Sequence, residues 1–265
     1  MPELPEVETV RRGIEPLVVG RQVVDGWGHA SAKFNGAIEA VGATFESVGR
    51  RGKYLLFELD DDRELVVHLG MTGQLARSAD TGDPYLRAWW ELDDGTYLTY
   101  RDVRRFGRLG VVDRGEHARF PTLAAQGPEP WDVTLDDGGL WANLRRSNAK
   151  LKTQLLSQRP IAGVGNIYAD EALWDAEINP SIRSLSRPRA DRLLAALRRS
   201  LEGALANGGT TLRDYRNADG GVGTNQRQLR CYGRSGEACL RCGEPLRRKI
   251  IDGRSTTWCP SCQRR

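Results

Sequence analysis

CLRCGEPLRRKIIDGRSTTWCPSC, residues 239–262, holds four of the five cysteines of the chain. Two residues separate Cys239 from Cys242, two separate Cys259 from Cys262, and sixteen lie between the pairs. That spacing suits a four-thiolate zinc site, each pair setting two sulfurs on one knuckle with bonds of about 2.3 Å. The competing reading, two disulfides, requires an oxidising compartment. Four protein ligands close the coordination shell, so the single Zn2+ implied here is structural and not catalytic. Cys231 falls outside the pattern and reads as a small residue in a strand.

Moving upstream, residues 189–209, RADRLLAALRRSLEGALANGG, read as a helix stopped by Gly208 and Gly209. Residues 159–180, RPIAGVGNIYADEALWDAEINP, make a sharp turn at Gly163 and Gly165, then a helix that ends before Pro180. Residues 140–158, LWANLRRSNAKLKTQLLSQ, carry Leu140, Leu144, Leu151 and Leu155 at helical intervals and read as a further helix. The N–H groups opening the helix near Asn166 would face an anion, most often a phosphate. Taken alone the glycines are weak evidence, because any tight turn between helices uses them. Helix, glycine turn and helix beside a zinc module is nonetheless a DNA-binding arrangement.

Residues 125–134, AQGPEPWDVT, concentrate glycine and proline and mark a linker. Before them the pattern changes to strands. Residues 48–76 hold two apolar runs around the acidic turn of Asp60, Asp61 and Asp62, and residues 89–112 hold two more around Asp94 and Gly95, a hairpin signal. This half reads as an antiparallel sandwich or barrel. The chain opens MPELPEVETVRRG, where Pro5 suits the first turn of a helix, Glu6 and Glu8 favour its positive end, and Val7, Val10, Ile14 and Leu17 form a buried face. A helix start does not require the first four residues.

Of the 39 basic residues only five are lysine, and the net charge is +4. Arginine suits bidentate phosphate contacts, although a GC-rich genome produces the same bias. No apolar run approaches the roughly 18 residues that would span a membrane, and the N-terminus does not read as a secretion signal. The expectation is a cytoplasmic protein.

PELPEVE at residues 2–8, GVGNIYADEAL at 163–173 and the four-cysteine finger together resemble the formamidopyrimidine-DNA glycosylase and endonuclease VIII family of base-excision repair. The likeness spans the chain. It implies an α+β protein: an N-terminal antiparallel β-sandwich with an N-terminal helix (residues 1–115) and a linker (116–133). A helical helix-two-turn-helix DNA-binding domain (134–230) and a zinc-finger hairpin (231–265) would follow. The implied partner is double-stranded DNA containing oxidised bases or abasic sites, lying between the two parts. The protein would be a monomer, nucleoid-associated as in bacteria.

The resemblance also explains the opening residues. With Met1 removed, Pro2 carries a free secondary amine whose pKa, near 7.7–8.0 for an α-amino group, leaves a useful fraction unprotonated. Such an amine attacks C1′ and expels the damaged base. The resulting iminium has no proton to lose and serves as an electron sink for β,δ-elimination. Carried over by motif, Pro2, Glu3, Lys53 and Arg254 form the catalytic set, with Glu6 in support. His68, Met71, Arg104, Phe106, Lys152 and Asn166 would bind DNA. His68 and Lys152 would contact phosphate, while Asn166 and Arg254 grip the phosphates beside a flipped nucleotide. Met71, Arg104 and Phe106 would fill the gap left in the stack; singly, Met71 and Phe106 fit a core equally well.

RCYGRSGEAC at residues 230–239 favours the oxidised-purine branch of the family over the oxidised-pyrimidine branch, and residues 208–229 have the length of its lesion-capping loop. That loop commonly carries an aromatic before its glutamine; here Asn225 precedes Gln226. A non-catalytic protein that binds damaged DNA is the remaining alternative, and such a protein has no use for Pro2 and Glu3.

Overall fold

A computed structural model describes residues 1–211 and 220–264. Eight of the 22 residues expected to form a lesion-capping loop, 212–219, therefore lie outside the described residues. Contacts divide the chain into two compact units, Met1–Ala124 with Asn207–Thr224, and Ala125–Ala206 with Asn225–Arg265.

The first unit opens with α1 (Leu4–Val18), capped by Glu3 in a reciprocal box with Glu6, so Pro5 occupies the first turn, where no N–H is needed. Eight strands follow: β1 (Val23–Gly28), β2 (Phe45–Arg51), β3 (Tyr54–Leu59), β4 (Arg63–His68), β5 (Gly73–Ser78), β6 (Leu86–Leu92), β7 (Tyr97–Asp102) and β8 (Arg108–Asp113). They form two antiparallel four-stranded sheets, ordered β1-β6-β7-β5 and β2-β3-β4-β8. Alternation along each strand turns Leu55, Phe57, Leu65 and Val67 of one sheet, and Leu75, Ala88, Trp90 and Leu98 of the other, into one core. Val7, Val10, Ile14 and Val18 of α1 join it, since the helix touches β2 and β3 of one sheet and β5 of the other. Fully burying one such side chain stabilises by about 1.5–3 kcal/mol. After β8, a short α2 (Pro121–Ala124) lays Leu123 and the adjacent Phe120 over Tyr54, Val66 and Val112 on the outer face of β2-β3-β4-β8.

Sequence alone assigns residues 207–224 to the helical part, whereas their contacts assign them to the sandwich unit. The cause is local and polar. Thr210 N–H donates to Glu6 Oε1 at 2.7 Å, and both residues are buried. The two ends of the segment also meet, Thr224 N–H on Asn207 O and Gly223 N–H on Thr211 Oγ1, each at 2.9 Å.

The second unit contains α3 (Gly139–Leu144), α4 (Leu151–Leu156), α5 (Asn166–Asp175), α6 (Arg187–Ala206) and a hairpin of β9 (Arg247–Ile251) and β10 (Arg254–Trp258). The helix expected over residues 140–158 is two helices, α3 and α4. Gln154 explains the break: its amide nitrogen lies 2.8 to 3.3 Å from the carbonyls of Ala149, Arg183 and Ser147, which holds the chain between the helices in a turn. In α6 the buried residues Ala190, Leu193, Leu194, Leu197, Leu201 and Ala204 recur at helical spacing. Gly208 and Gly209 follow it at φ 67° and 84°. Cys231 is not in a strand; it sits in a bend, fully buried, its thiol donating to Thr257 O at 3.1 Å. Burial pushes that thiol pKa well up, so it stays protonated.

Candidate active site and zinc centre

In the first unit the polar positions gather at one end of the sandwich. Arg11 donates to Val48 O and Arg50 donates to Glu8 Oε2, at 3.0 and 3.1 Å, so α1 runs antiparallel to β2 and its N-terminus points toward the β2–β3 turn. That turn contains Gly52 and Lys53, and Arg50 donates to Gly52 O at 3.1 Å. Pro2 and Glu3 are buried, and the Glu3 N–H donates to Glu6 Oε2 at 2.8 Å. The Glu6 carboxylate thus joins Glu3 through one oxygen and Thr210 through the other. Sequence reasoning placed Glu6 only in a supporting role; the glutamate three residues after an N-cap glutamate was the available signal.

Lys53, 5% exposed, precedes Tyr54, whose strand partner is His68. The Tyr54 and His68 rings lie 4.7 Å apart. Burial, reinforced by the charges of Arg108 and Lys53, pushes the His68 pKa down to about 3, so the ring is neutral. Gly70 N–H donates to His68 Nδ1 at 3.2 Å, leaving the ring proton on Nε2.

Met71 and Phe106 are exposed at the ends of two loops that Asp102 holds together. Its fully buried carboxylate accepts from Thr72 Oγ1 at 2.5 Å and from Gly107 N–H at 2.8 Å, while Arg104 N–H donates to Thr72 Oγ1 at 3.2 Å. The loops touch closely: a Cβ on Gly70, at φ 64°, would come within 2.4 Å of Gly107 N. Arg104 stacks over the Phe106 ring at 4.6 Å. Lys53, His68, Met71, Arg104 and Phe106 thereby share one end of the sandwich. The expectation named none of the Asp102 contacts that hold them there.

In the second unit Asn166, at the start of α5, donates to Ser255 O at 3.1 Å, next to exposed Arg254 at the tip of the β9–β10 hairpin. The structure brings these two together. Asp252 and Gly253, at φ 45° and 77°, make the tight turn that projects Arg254.

Lys152 corrects the expectation. Its side chain is fully buried, and the ammonium meets Asp170 Oδ1 at 2.6 Å, Ser255 O at 2.9 Å and Thr256 Oγ1 at 3.0 Å. An ammonium has three protons, and these three acceptors occupy them, so Lys152 ties α4 to α5 and the hairpin instead of meeting a phosphate. Asp170 also accepts Thr257 N–H at 2.9 Å; burial pushes its pKa up to about 6, with Lys152 opposing. Its neighbour Glu171 accepts the N–H groups of Arg230, Cys231 and Tyr232 at 2.7–2.9 Å. Both acids went unremarked in the sequence, although two acids within an otherwise apolar helix are a legible sign of buried anchors.

The Sγ atoms of Cys239, Cys242, Cys259 and Cys262 all lie within 4.8 Å of one another. A tetrahedron with bonds of about 2.3 Å has edges of about 3.8 Å, so the four sulfurs fit one zinc ion with small adjustment. Two donors already orient the thiolates: Trp174 Nε1–H to Cys239 Sγ and Cys262 N–H to Cys259 Sγ, both at 3.4 Å. A site closed by four protein sulfurs holds zinc for structure. Bound there, the ion fastens the hairpin that carries Arg254.

A sandwich with these groups at one end, in a chain finishing in a four-thiolate finger, defines a DNA glycosylase of the zinc-finger class. Three family models match in order: the formamidopyrimidine-DNA glycosylase N-terminal domain over residues 1–109, its H2TH domain over 126–216, and the zinc finger found in FPG and IleRS over 236–265. The chain belongs to the formamidopyrimidine-DNA glycosylase family. It is 46% identical over 270 residues to the formamidopyrimidine-DNA glycosylase of Thermus thermophilus, covering 99% of this chain and 98% of that one. The enzyme of that name from Deinococcus radiodurans is 41% identical over 276 residues, covering 99% and 97%. Among solved structures, the MutM (Fpg) protein of Thermus thermophilus superposes with a TM-score of 0.91 at 44% identity, covering 99% and 98%. Lactococcus lactis Fpg in complex with abasic-site DNA gives 0.89 at 34% identity, covering 99% and 100%.

Proposed function

We propose that the protein is a bifunctional glycosylase and AP lyase that removes oxidised purines, 8-oxoguanine and formamidopyrimidines, from double-stranded DNA. The observation that carries the reading is the antiparallel run of α1 over β2, which turns Pro2 and Glu3 toward the sandwich end that bears Lys53, His68, Met71, Arg104 and Phe106. Relatives support the substrate class: Lactococcus lactis Fpg has been solved with abasic-site DNA and, at a TM-score of 0.89, with DNA containing N7-benzyl-Fapy-dG. Acting on genomic DNA, the protein works in the cytoplasm.

Removal of Met1, which a proline in second place permits, frees the Pro2 amine. Its nitrogen bonds to C1′ as the bond from C1′ to the base breaks, and Glu3 handles the protons of base departure and sugar opening. Loss of the amine proton gives an aminal; the C1′–O4′ bond then breaks, O4′ taking a proton from Glu3, and the nitrogen lone pair forms the iminium with C1′. A proton then leaves C2′, the 3′ phosphate departs, and a second elimination releases the 5′ phosphate. Met71, Arg104 and Phe106 fill the space of the flipped nucleotide. Lys53 and the neutral Nε2–H of His68 in the first unit, and Asn166 and Arg254 in the second, each meet phosphates.

Borohydride reduction on abasic-site DNA, followed by peptide mass spectrometry, tests this. The adduct is expected on Pro2 in both the wild type and Glu3→Gln. Glu3→Gln should lose about 10²–10⁴-fold in rate on 8-oxoguanine DNA, the usual worth of a positioned proton-transfer group. It should still form the iminium on the preformed aldehyde, which has already lost its base. An adduct on Lys53, or none, overturns the assignment.

A further inference from the structure

The outer faces of the two sheets differ. Phe120 and Leu123 cover that of β2-β3-β4-β8. That of β1-β6-β7-β5 carries Trp27 directly opposite Trp89 and, two residues along, Asp25 directly opposite Glu91. Tyr97 is the partner of Glu91 on the next strand, and its ring meets Trp89 edge-on at 5.6 Å. Trp27 is 41% exposed.

Like charges directly opposite on a sheet destabilise it; here Asp25 and Trp27 are exposed, with Trp89, Glu91 and Tyr97 half-buried beside them. Nearby acids are neutralised: Asp93 and Asp94 lie 3.6 and 3.3 Å from Arg21, and Arg77 also holds Asp94. Asp25 accepts its neighbour Gly26 N–H at 2.7 Å. Among the described residues, however, no basic group pairs with Asp25 or Glu91. Two carboxylates without a basic partner among the described residues, in one cross-strand row with Tyr97 and beside the row of Trp27 and Trp89, offer a cation both charge and aromatic faces. The same carboxylates repel a phosphate backbone. Tyr97 also begins β7, while Asp102, at the far end of that strand, holds the Met71 and Phe106 loops. A partner seated here leaves that end of the sandwich free.

We propose that this face docks an extended, basic and apolar segment of another protein, whose arginine or lysine enters between Asp25 and Glu91 and stacks on Trp27 and Trp89. The probe is the peptide acetyl-Leu-Arg-Leu-Arg-Leu-amide, with its glutamate counterpart as control, titrated into the full zinc-loaded chain. Indole N–H resonances of Trp27 and Trp89, assigned by substitution, report contact. The arginine peptide should shift both and the glutamate peptide neither. In the Asp25→Asn, Glu91→Gln double variant the affinity should fall about tenfold or more, the loss of close charge partners at an interface. Turnover of lesion DNA should stay unchanged. Thermal stability of that variant should hold or rise, because a repulsion is removed. Equal binding of the two peptides, shifts that ignore the double variant, a lowered melting point, or the same shifts with magnesium chloride alone would each overturn the proposal.

Discussion

His68 shows how far a side chain's surroundings decide its chemistry. With its pKa pushed down to about 3 from an ordinary 6.5, the folded state resists a proton that the unfolded chain accepts. Between about pH 6.5 and 3 the unfolded chain therefore binds more protons. The stability linked to His68 is full above 6.5 and falls as pH drops through that window. NMR of the imidazole should show no titration between pH 8 and 5, and His68→Gln should flatten the acid side of the stability curve. A midpoint near 6.5 would refute the neutral ring. HLGMTG made the position of His68 legible, but its charge state depends on Arg108, Lys53 and burial, which lie in other parts of the chain. Lys152 was misread for the same reason, since nothing near KTQLLSQ announces Asp170 or Ser255.

Among the elements, one buried ion pair, Lys152 with Asp170, joins α4 to α5 and helps hold both to the β9–β10 hairpin. Lys152→Met leaves Asp170 buried with only the Thr257 N–H, and breaking such a pair costs about 3–5 kcal/mol. Adding Asp170→Asn should restore much of the loss, because the uncompensated charge disappears. Urea unfolding of both variants measures this; a Lys152→Met variant as stable as the wild type would disprove the tie. Elements with a one-sided apolar stripe were readable in advance, as α1 and α6 show. Residues 140–158 were read as one helix because the leucine spacing continues across the break, while the turn depends on Arg183, a residue well outside the window. In α5 the start at Asn166 was visible from its glycines, but burial on every side was not, because Asp170 and Glu171 look like surface residues until their partners are known.

At the scale of the whole molecule, the zinc centre and Arg254 should make separable contributions to DNA affinity. Cys242→Ala, or chelation, should unfold the hairpin and remove tight binding, since such sites depend on metal to fold. Arg254→Ala should keep the fold, weaken binding to lesion and undamaged DNA alike, and lower the slope of log affinity against log salt by about one. Affinity that survives chelation, or a slope that does not move, would contradict these assignments. The neutral His68 should leave that slope unchanged when replaced. Both ends of the chain were legible because each is a dense local motif, MPELPE and the two cysteine pairs. The union of Glu6 with Thr210 was not, being a backbone contact between residues 204 positions apart.

That contact sets an order of events during synthesis. At about 5–20 residues per second a ribosome needs roughly 10–40 s to travel from Glu6 to Thr210. Throughout that interval the Glu6 carboxylate lacks the Thr210 N–H that it accepts in the finished fold. The link from Glu3 through Glu6 to Thr210 therefore closes late, after nearly four-fifths of the chain has been made, while Met1 stays exposed even in the finished fold.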